Sequence, residues 1–154
     1  MKKGFAYYEG PLESFVELAI NTQGTLIKRI IADVNDRLVE ELCVHGIAID
    51  MSYNHTIDNN AIRHIMKCHG IEEEALRGQI PVDKADLLTI PEVLSSYDSL
   101  SALKNRRGQD VIVFSKLFEN SVCFYVEEVR LGRHELAAIT LYKRKKEDSP
   151  TLID

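Results

Sequence analysis

The period of the hydrophobic pattern changes near Leu103, and this change constrains the fold more than any other feature of the sequence. Upstream, apolar residues recur mostly at helical spacing, whereas downstream they alternate with a period of two. Three strand-length segments rich in Val, Ile, Phe and Tyr follow, "DVIVFSKLF", "SVCFYVEEV" and "ELAAITLYK", separated by the turns "EN" and "RLGRH". Helices that precede strands predict an α+β fold in which N-terminal helices pack on a small antiparallel β-meander.

The segments upstream of the meander carry recognisable start and stop signals. The predicted helices are "PLESFVELAI", "DVNDRLVEELCVHG", "DNNAIRHIMKCHG" and the pair "PVDKADLLTI" and "PEVLSSY". In the second helix an Asp precedes the apolar stripe and Gly46 follows it; the third has Asp58 or Asn59 as N-cap and Gly70 after its last turn. Pro91 opens the last helix. The β-branched segment "GTLIKRIIAD" favours a strand.

Length and composition predict one compact domain that is neither exported nor inserted in a membrane. The chain has 154 residues, of which 45% are hydrophobic, enough for a single core. No apolar run approaches the roughly 20 residues that cross a bilayer, and "MKKGFAYYEG" lacks the apolar region of a signal peptide. Cys43, Cys68 and Cys123 are widely spaced, which favours reduced thiols over disulfides or a zinc site. We therefore expect a cytoplasmic protein with no membrane partner.

Charge is distributed unevenly along the chain. The net charge is −5, which argues against a general nucleic-acid binder. Residues 1–100 carry a net −7, residues 101–146 a net +5, and residues 147–154 a net −3. A basic segment thus follows an acidic one. The basic segment could bind an anionic partner, or it could simply be the solvent-facing side of a sheet.

The last predicted strand indicates which side chains leave the core. Ala137, Ile139 and Leu141 alternate on one side and form the better core face. Thr140 and Tyr142 then project together from the other side, about 7 Å apart along the strand. Such a pair of hydroxyls is common on strands, so by itself it is weak evidence for a site.

Two histidines lie on the third predicted helix. His69 shares the buried stripe with Ile62, Ile65 and Met66, whereas His64 lies about 140° away around the helix. The alternative interpretations are an imidazolium at a helix C-terminus for His69 and an ordinary exposed side chain for His64. His64 and His69 are five residues apart, whereas two zinc-binding histidines on one helix are usually four residues apart. We therefore expect no metal site here.

Four segments taken in order carry a family resemblance: "IRHIMKCHG", "IPEVLSSYDSL", "KNRRGQDVIVFSKLF" and "VEEVRLGRHELAAITLYKRKK". Together they resemble the phage-associated branch of the barnase, EndoU, colicin and RelE-like ribonuclease superfamily. The resemblance covers about residues 50–146, which we predict to be a ribonuclease-like domain. Residues 1–49 are then either an N-terminal extension or the first strand and helix of the same domain, and residues 147–154 are a flexible tail.

The resemblance implies a metal-independent RNA-cleaving site between helix and sheet. The helical motif falls on His64, His69 and Gly70, and the terminal Thr-x-Tyr motif falls on Thr140 and Tyr142. The remaining matches are Lys104, Asn105 and Arg106 before the meander, and Gly132, Arg133, Glu135 and Leu136 at its last turn, where His134 replaces an expected basic residue. The implied catalytic residues are His64, His69, Lys104, Thr140 and Tyr142, and the implied substrate-binding residues are Asn105, Arg106, Arg133 and Lys143.

Histidine, lysine, arginine and hydroxyl side chains supply the groups that RNA cleavage without a metal requires. Cleavage by the ribose 2′-hydroxyl without a metal needs a base, an acid, and groups that stabilise the charged phosphate. We therefore predict a toxin-like endoribonuclease of a phage or mobile element that needs no cofactor. Its expected partners are RNA and an immunity or antitoxin protein. Analogy with the superfamily suggests tRNA as the RNA, and no binding to DNA is expected. Two alternatives remain open: a catalytically inactive RNA-binding or protein-interaction module of the same fold, and an N-terminal segment that tethers a toxin domain.

Overall fold

The structure, a computed structural model, describes residues 7–70 and 80–145, so the predicted tail lies outside the described residues. The helices are α1 (Leu12–Ile20), α2 (Asp36–Val44), α3 (Asn59–His69), α4 (Lys84–Leu87) and α5 (Ile90–Ser96). The strands are β1 (Lys28–Asp33), β2 (Asn54–Asp58), β3 (Ser99–Lys104), β4 (Asp110–Leu117), β5 (Ser121–Arg130) and β6 (Glu135–Lys145). The predicted α+β class is confirmed.

All six strands belong to one sheet, in the order β1-β2-β6-β5-β4-β3. The meander β4-β5-β6 is antiparallel as predicted. Three further strands extend it: β3 pairs with β4, β2 pairs with β6 in the parallel sense, and β1 pairs with β2. β1 is expected from its β-branched residues, but β2 and β3 are not, because "NHTID" and "SLSALK" are short and at least half of their residues are polar.

A bulge in β6 changes which of its residues face the core. Val126 pairs with Thr140, whereas the next residue of β5, Glu127, pairs with Ala138, so Ile139 is the extra residue. Leu136, Ala138 and Leu141 belong to the apolar core as a result. The predicted core face of Ala137, Ile139 and Leu141 is therefore correct only for Leu141, because a strict alternation does not anticipate a bulge.

Short-range signals set the helix ends. Asn35 caps α2 by accepting a hydrogen bond from the Leu38 amide, whereas the nearby Asp33 ends β1. Gly46 follows α2 with a positive φ of 81°, as expected for a glycine after a helix. Gly70 differs, since its φ is −75°. A side chain there would collide with the carbonyl oxygen of Met66, so close packing demands this glycine.

One apolar cluster holds the helices and the sheet together. It includes Phe15 of α1, Leu42 of α2, Ile62 of α3, Val93 of α5 and Phe114 of β4, each of which is fully buried. α5 packs against β4 and β1, α3 against β6, and α1 against α3. β1 and α2 thus share their sheet and core with the meander. No helix in the described part of the chain is long and apolar enough to span a bilayer.

Two buried polar pairs connect distant strands. The Lys28 ammonium lies 3.1 Å from the Glu135 carboxylate, which also accepts a 2.5 Å hydrogen bond from the Tyr7 hydroxyl. Burial, followed by this carboxylate, raises the pKa of Tyr7. His55 of β2 places its Nδ1 2.8 Å from Glu127 of β5. Removal of one member would leave the other buried without its main partner.

Candidate active site

His69 and Tyr142 meet where the end of α3 reaches β6. Their ring centroids lie 5.6 Å apart, with the planes inclined by 32°. The Tyr142 ring also contacts Phe124 of the neighbouring strand at 5.1 Å, and the Arg144 guanidinium carbon lies 5.7 Å from the centres of both rings. We call these four residues the His69 patch. In such a patch the aromatic rings can orient the imidazole or stack on a base, and the guanidinium group can attract an anion.

The local structure of α3 explains how His69 arrives there. Ile62 and Ile65 are fully buried, so they fix the rotation of the helix about its axis. His69, seven residues after Ile62, lies on nearly the same side and is half-buried. Val82 lies beside the end of this helix, because its amide donates a 2.7 Å hydrogen bond to the His69 carbonyl. The predicted inward orientation of His69 agrees with this geometry.

Thr140 lies on the same sheet face as Tyr142, two residues before it. Register with β5 places Thr140 opposite Val126 and Tyr142 opposite Phe124, away from the face that carries Leu141. The Thr140 hydroxyl oxygen is buried and has no hydrogen-bond partner among the described residues. A buried hydroxyl without a partner is costly, so it is suited to bind a group that enters the site.

A buried carboxylate extends this face along β5. Glu128 is 4% exposed and lies two residues from Val126, about 7 Å farther along the strand. Its Oε2 accepts hydrogen bonds from Asn105 at 2.9 Å and Arg107 at 3.2 Å, and its Oε1 accepts one from Arg130 at 3.0 Å. The carboxylate thereby holds two guanidinium groups on the face that carries Thr140.

His64 lies apart from the His69 patch. Its ring is exposed, and its Nδ1 lies 3.6 Å from the Cys68 sulfur, one turn along α3. It lines a shallow groove with Ile20, Asn60 and Arg63. A regular α3 directs His64 and His69 about 140° apart, so the structure does not bring the two imidazoles together.

The other residues singled out in the sequence occupy three places. Asn105 is hydrogen-bonded to Glu128, and its Oδ1 accepts from the amides of Arg107 and Gln109, which shapes the β3–β4 turn. Lys104 and Arg133 line a cleft of about 510 Å³ between that turn and the β5–β6 turn, and Lys104 also pairs with Asp110 at 2.9 Å.

Lys143 and Arg106 lie outside this cleft. Lys143 pairs with Asp86 at 2.9 Å. Lys143 lies opposite Cys123, on the face turned away from Tyr142. Arg106 is exposed in the β3–β4 turn.

Comparison with known proteins supplies the family. The family described as phage-Barnase-EndoU-ColicinE5/D-RelE like nuclease3 matches residues 29–149, most of the chain. The chain belongs to this nuclease family. Comparison with curated proteins and with solved structures gives no match. The matched range begins inside β1 rather than at residue 50, so α2 and β2 are included in it.

Sequence reasoning missed two adjacent buried acids of this nuclease. Glu127 and Glu128 are 0% and 4% exposed and lie within the apolar segment "SVCFYVEEV". Because Asp and Glu are seldom buried without partners, adjacent acids inside a predicted strand were the available signal. That signal could not show which face each acid occupies. Only the register distinguishes Glu127, which meets His55, from Glu128, which meets the two arginines.

The potential metal ligands of this nuclease are scattered. Within residues 7–70 and 80–145, no group of three or more His, Cys, Asp or Glu side chains is arranged to hold a metal ion. Cys43 is exposed, Cys68 half-buried and Cys123 buried, all as free thiols.

Proposed function

We propose that this nuclease is a metal-independent endoribonuclease that cleaves RNA through attack of a ribose 2′-hydroxyl on the adjacent phosphate. The observation that carries the proposal is the contact between His69 and Tyr142, two residues from a Thr140 hydroxyl that has no hydrogen-bond partner in residues 7–70 and 80–145. His69 can transfer a proton, and the ring that it contacts lies on the same sheet face as the Thr140 hydroxyl, two residues away. Membership of the nuclease family supports a nucleic-acid substrate.

The proposed roles follow from the position of each group. His69 carries out one of the two proton transfers, since imidazole exchanges protons near neutral pH. The Thr140 hydroxyl donates to a non-bridging phosphate oxygen, and Arg144 attracts the phosphate to the patch. Tyr142 orients His69 or stacks on a base. Arg107 and Arg130, held by Glu128, bind the backbone farther along the strand.

The chemistry of the products tests the proposal. Purified protein is incubated with a single-stranded RNA oligonucleotide in EDTA, and the ends are analysed by mass spectrometry. We expect fragments with 2′,3′-cyclic phosphate or its hydrolysis product. A matched oligonucleotide with 2′-deoxyribose at the cleaved positions should remain intact, because it lacks the nucleophile. Cleavage of the deoxy substrate, or strict dependence on a divalent metal, would contradict the mechanism.

A catalytically inactive RNA-binding or protein-interaction module is the second candidate, favoured by the net charge of −5. A nuclease gains from a positive field around its polyanionic substrate, and this chain is acidic overall. Salt-dependent RNA binding without turnover would identify the module.

The enzyme is further proposed to act as a cytoplasmic toxin that an immunity or antitoxin protein neutralises. Expression of the chain should then inhibit growth, and the variant His69→Ala should relieve the inhibition. Equal growth with the wild-type chain and the variant would contradict the toxin role.

A further inference from the structure

The outer edge of β3 has no pairing strand among the described residues, because β3 ends the sheet order and its hydrogen-bonded neighbour is β4. The edge "SLSALK" contains no proline, and its single charge is the terminal Lys104. Natural proteins usually protect such an edge with charges, prolines or bulges. An unprotected edge of six residues is suited to accept another strand.

The β3–β4 turn shows which backbone groups of β3 point outward. The Asn105 amide donates a 3.0 Å hydrogen bond to the Gln109 carbonyl, so these residues form a hydrogen-bonded pair. Such pairs alternate along antiparallel strands. The backbone groups of Ser99, Ser101 and Leu103 therefore point toward β4, and those of Leu100, Ala102 and Lys104 point away from it.

We propose that β3 pairs antiparallel with β3 of a second copy of this chain, with the two Ser101 residues facing each other across a two-fold axis. In this register Leu100 lies opposite Ala102 of the other copy, and these residues exchange backbone hydrogen bonds through their outward groups. Asp98 then lies opposite Lys104 of the other copy. The inference does not depend on the activity proposed above.

The side chains of β3 favour its own copy as the partner. Leu100 and Ala102 are only half-buried against the core, so a symmetric neighbour covers both. Asp98 and Lys104 are exposed and carry opposite charges at the two ends of the edge. Within one copy Lys104 pairs with Asp110, and Asp98 accepts a hydrogen bond from the last amide of β4. Antiparallel self-pairing adds a second group of opposite charge beside each of them. A shift of the axis to Ala102 would place Lys104 opposite Leu100, and a shift to Leu100 would leave Lys104 outside the pairing.

The symmetry also sets the arrangement of the two active sites. A two-fold axis between neighbouring antiparallel strands is perpendicular to the sheet, so the two sheets become one continuous sheet with corresponding faces on the same side. Both His69 patches would therefore open toward the same side of the dimer.

Disulfide trapping tests both the partner and the register. Ser101→Cys is introduced into a chain with Cys43→Ser and Cys68→Ser, so that the buried Cys123 is the only other thiol. The two introduced thiols, which face each other across the axis, should oxidise to a covalent dimer of twice the 17.5 kDa chain mass, since their Cα atoms would lie roughly 4.5 Å apart. Leu103→Cys in the same background is the matched control. It faces Ser99 of the other copy, so it should not cross-link to itself.

Proline substitution provides a second, independent measurement. Ala102→Pro removes an outward N–H without breaking a β3–β4 hydrogen bond, so the variant should fold. We expect the unmodified chain to show a concentration-dependent dimer mass by light scattering, and Ala102→Pro to remain monomeric with an unchanged circular dichroism spectrum. A monomeric unmodified chain overturns the proposal, as does a dimer that Leu103→Cys traps as efficiently as Ser101→Cys or that Ala102→Pro leaves intact.

Discussion

His69 and His64 occupy the same helix but have different surroundings. His69 contacts Tyr142, whereas His64 is exposed beside Cys68. Because general acid–base catalysis contributes about 10²- to 10⁴-fold, we expect His69→Ala to lower kcat/KM for RNA by that factor. His64→Ala, five residues away, should change it by less than about tenfold. Comparable losses in both variants, with unchanged circular dichroism spectra, would contradict the assignment of proton transfer to His69.

Cys123 differs from Cys43 in its burial, since Cys123 is buried and Cys43 is exposed. Burial, followed by the negative charge of Asp86, raises the pKa of the Cys123 thiol to about 12. The folded state thus favours the neutral thiol, and this contribution to stability is present below the unfolded pKa and is lost as the pH rises toward the folded value. At pH 8 a thiol reagent should modify the exposed Cys43 rapidly and Cys123 only after unfolding in urea. Equal rates for the two cysteines in the folded protein would contradict the burial of Cys123.

At the scale of the element, the start of α3 depends on one side chain. Asp58 Oδ1 accepts a 2.8 Å hydrogen bond from the Ala61 amide. Asp58→Ala should lower the free energy of unfolding by about 1 kcal/mol, because the amide loses its partner. Asp58→Asn is the matched control, since asparagine caps equally well. Urea unfolding at pH 7 measures both, and an equal loss in the two variants would show that capping is not the cause.

At the scale of the whole molecule, the buried Lys28–Glu135 pair links the edge strand β1 to β6, across β2. Lys28→Met should lower the free energy of unfolding by about 3–5 kcal/mol, because it leaves a carboxylate buried without its cation. Lys84→Met removes a half-exposed pair with Glu17 at a similar distance and should cost less than about 1 kcal/mol. Urea unfolding distinguishes the two, and similar losses would mean that burial does not set the energetic cost.

Near neighbours in the sequence determined the local structure of this protein. Alternation predicted β4, β5 and β6, caps and glycines predicted α2 and α3, and the ordered motifs indicated the nuclease family. The strands and helices were predictable because each depends on residues that lie close together in the chain. The sharing of one face by Thr140 and Tyr142 followed for the same reason.

Contacts between distant residues decided the rest. β2 and β3 are strands because neighbouring strands satisfy their backbone groups, which their short polar sequences do not reveal. The bulge at Ile139 places Leu136 and Ala138 on the core face, where strict alternation predicts Ala137 and Ile139. The register alone separates Glu127 from Glu128. The contact of His69 with Tyr142 joins two elements that are far apart in the chain. Local patterns determine the period and the ends of elements, whereas register and packing depend on surfaces that exist only once the chain has folded.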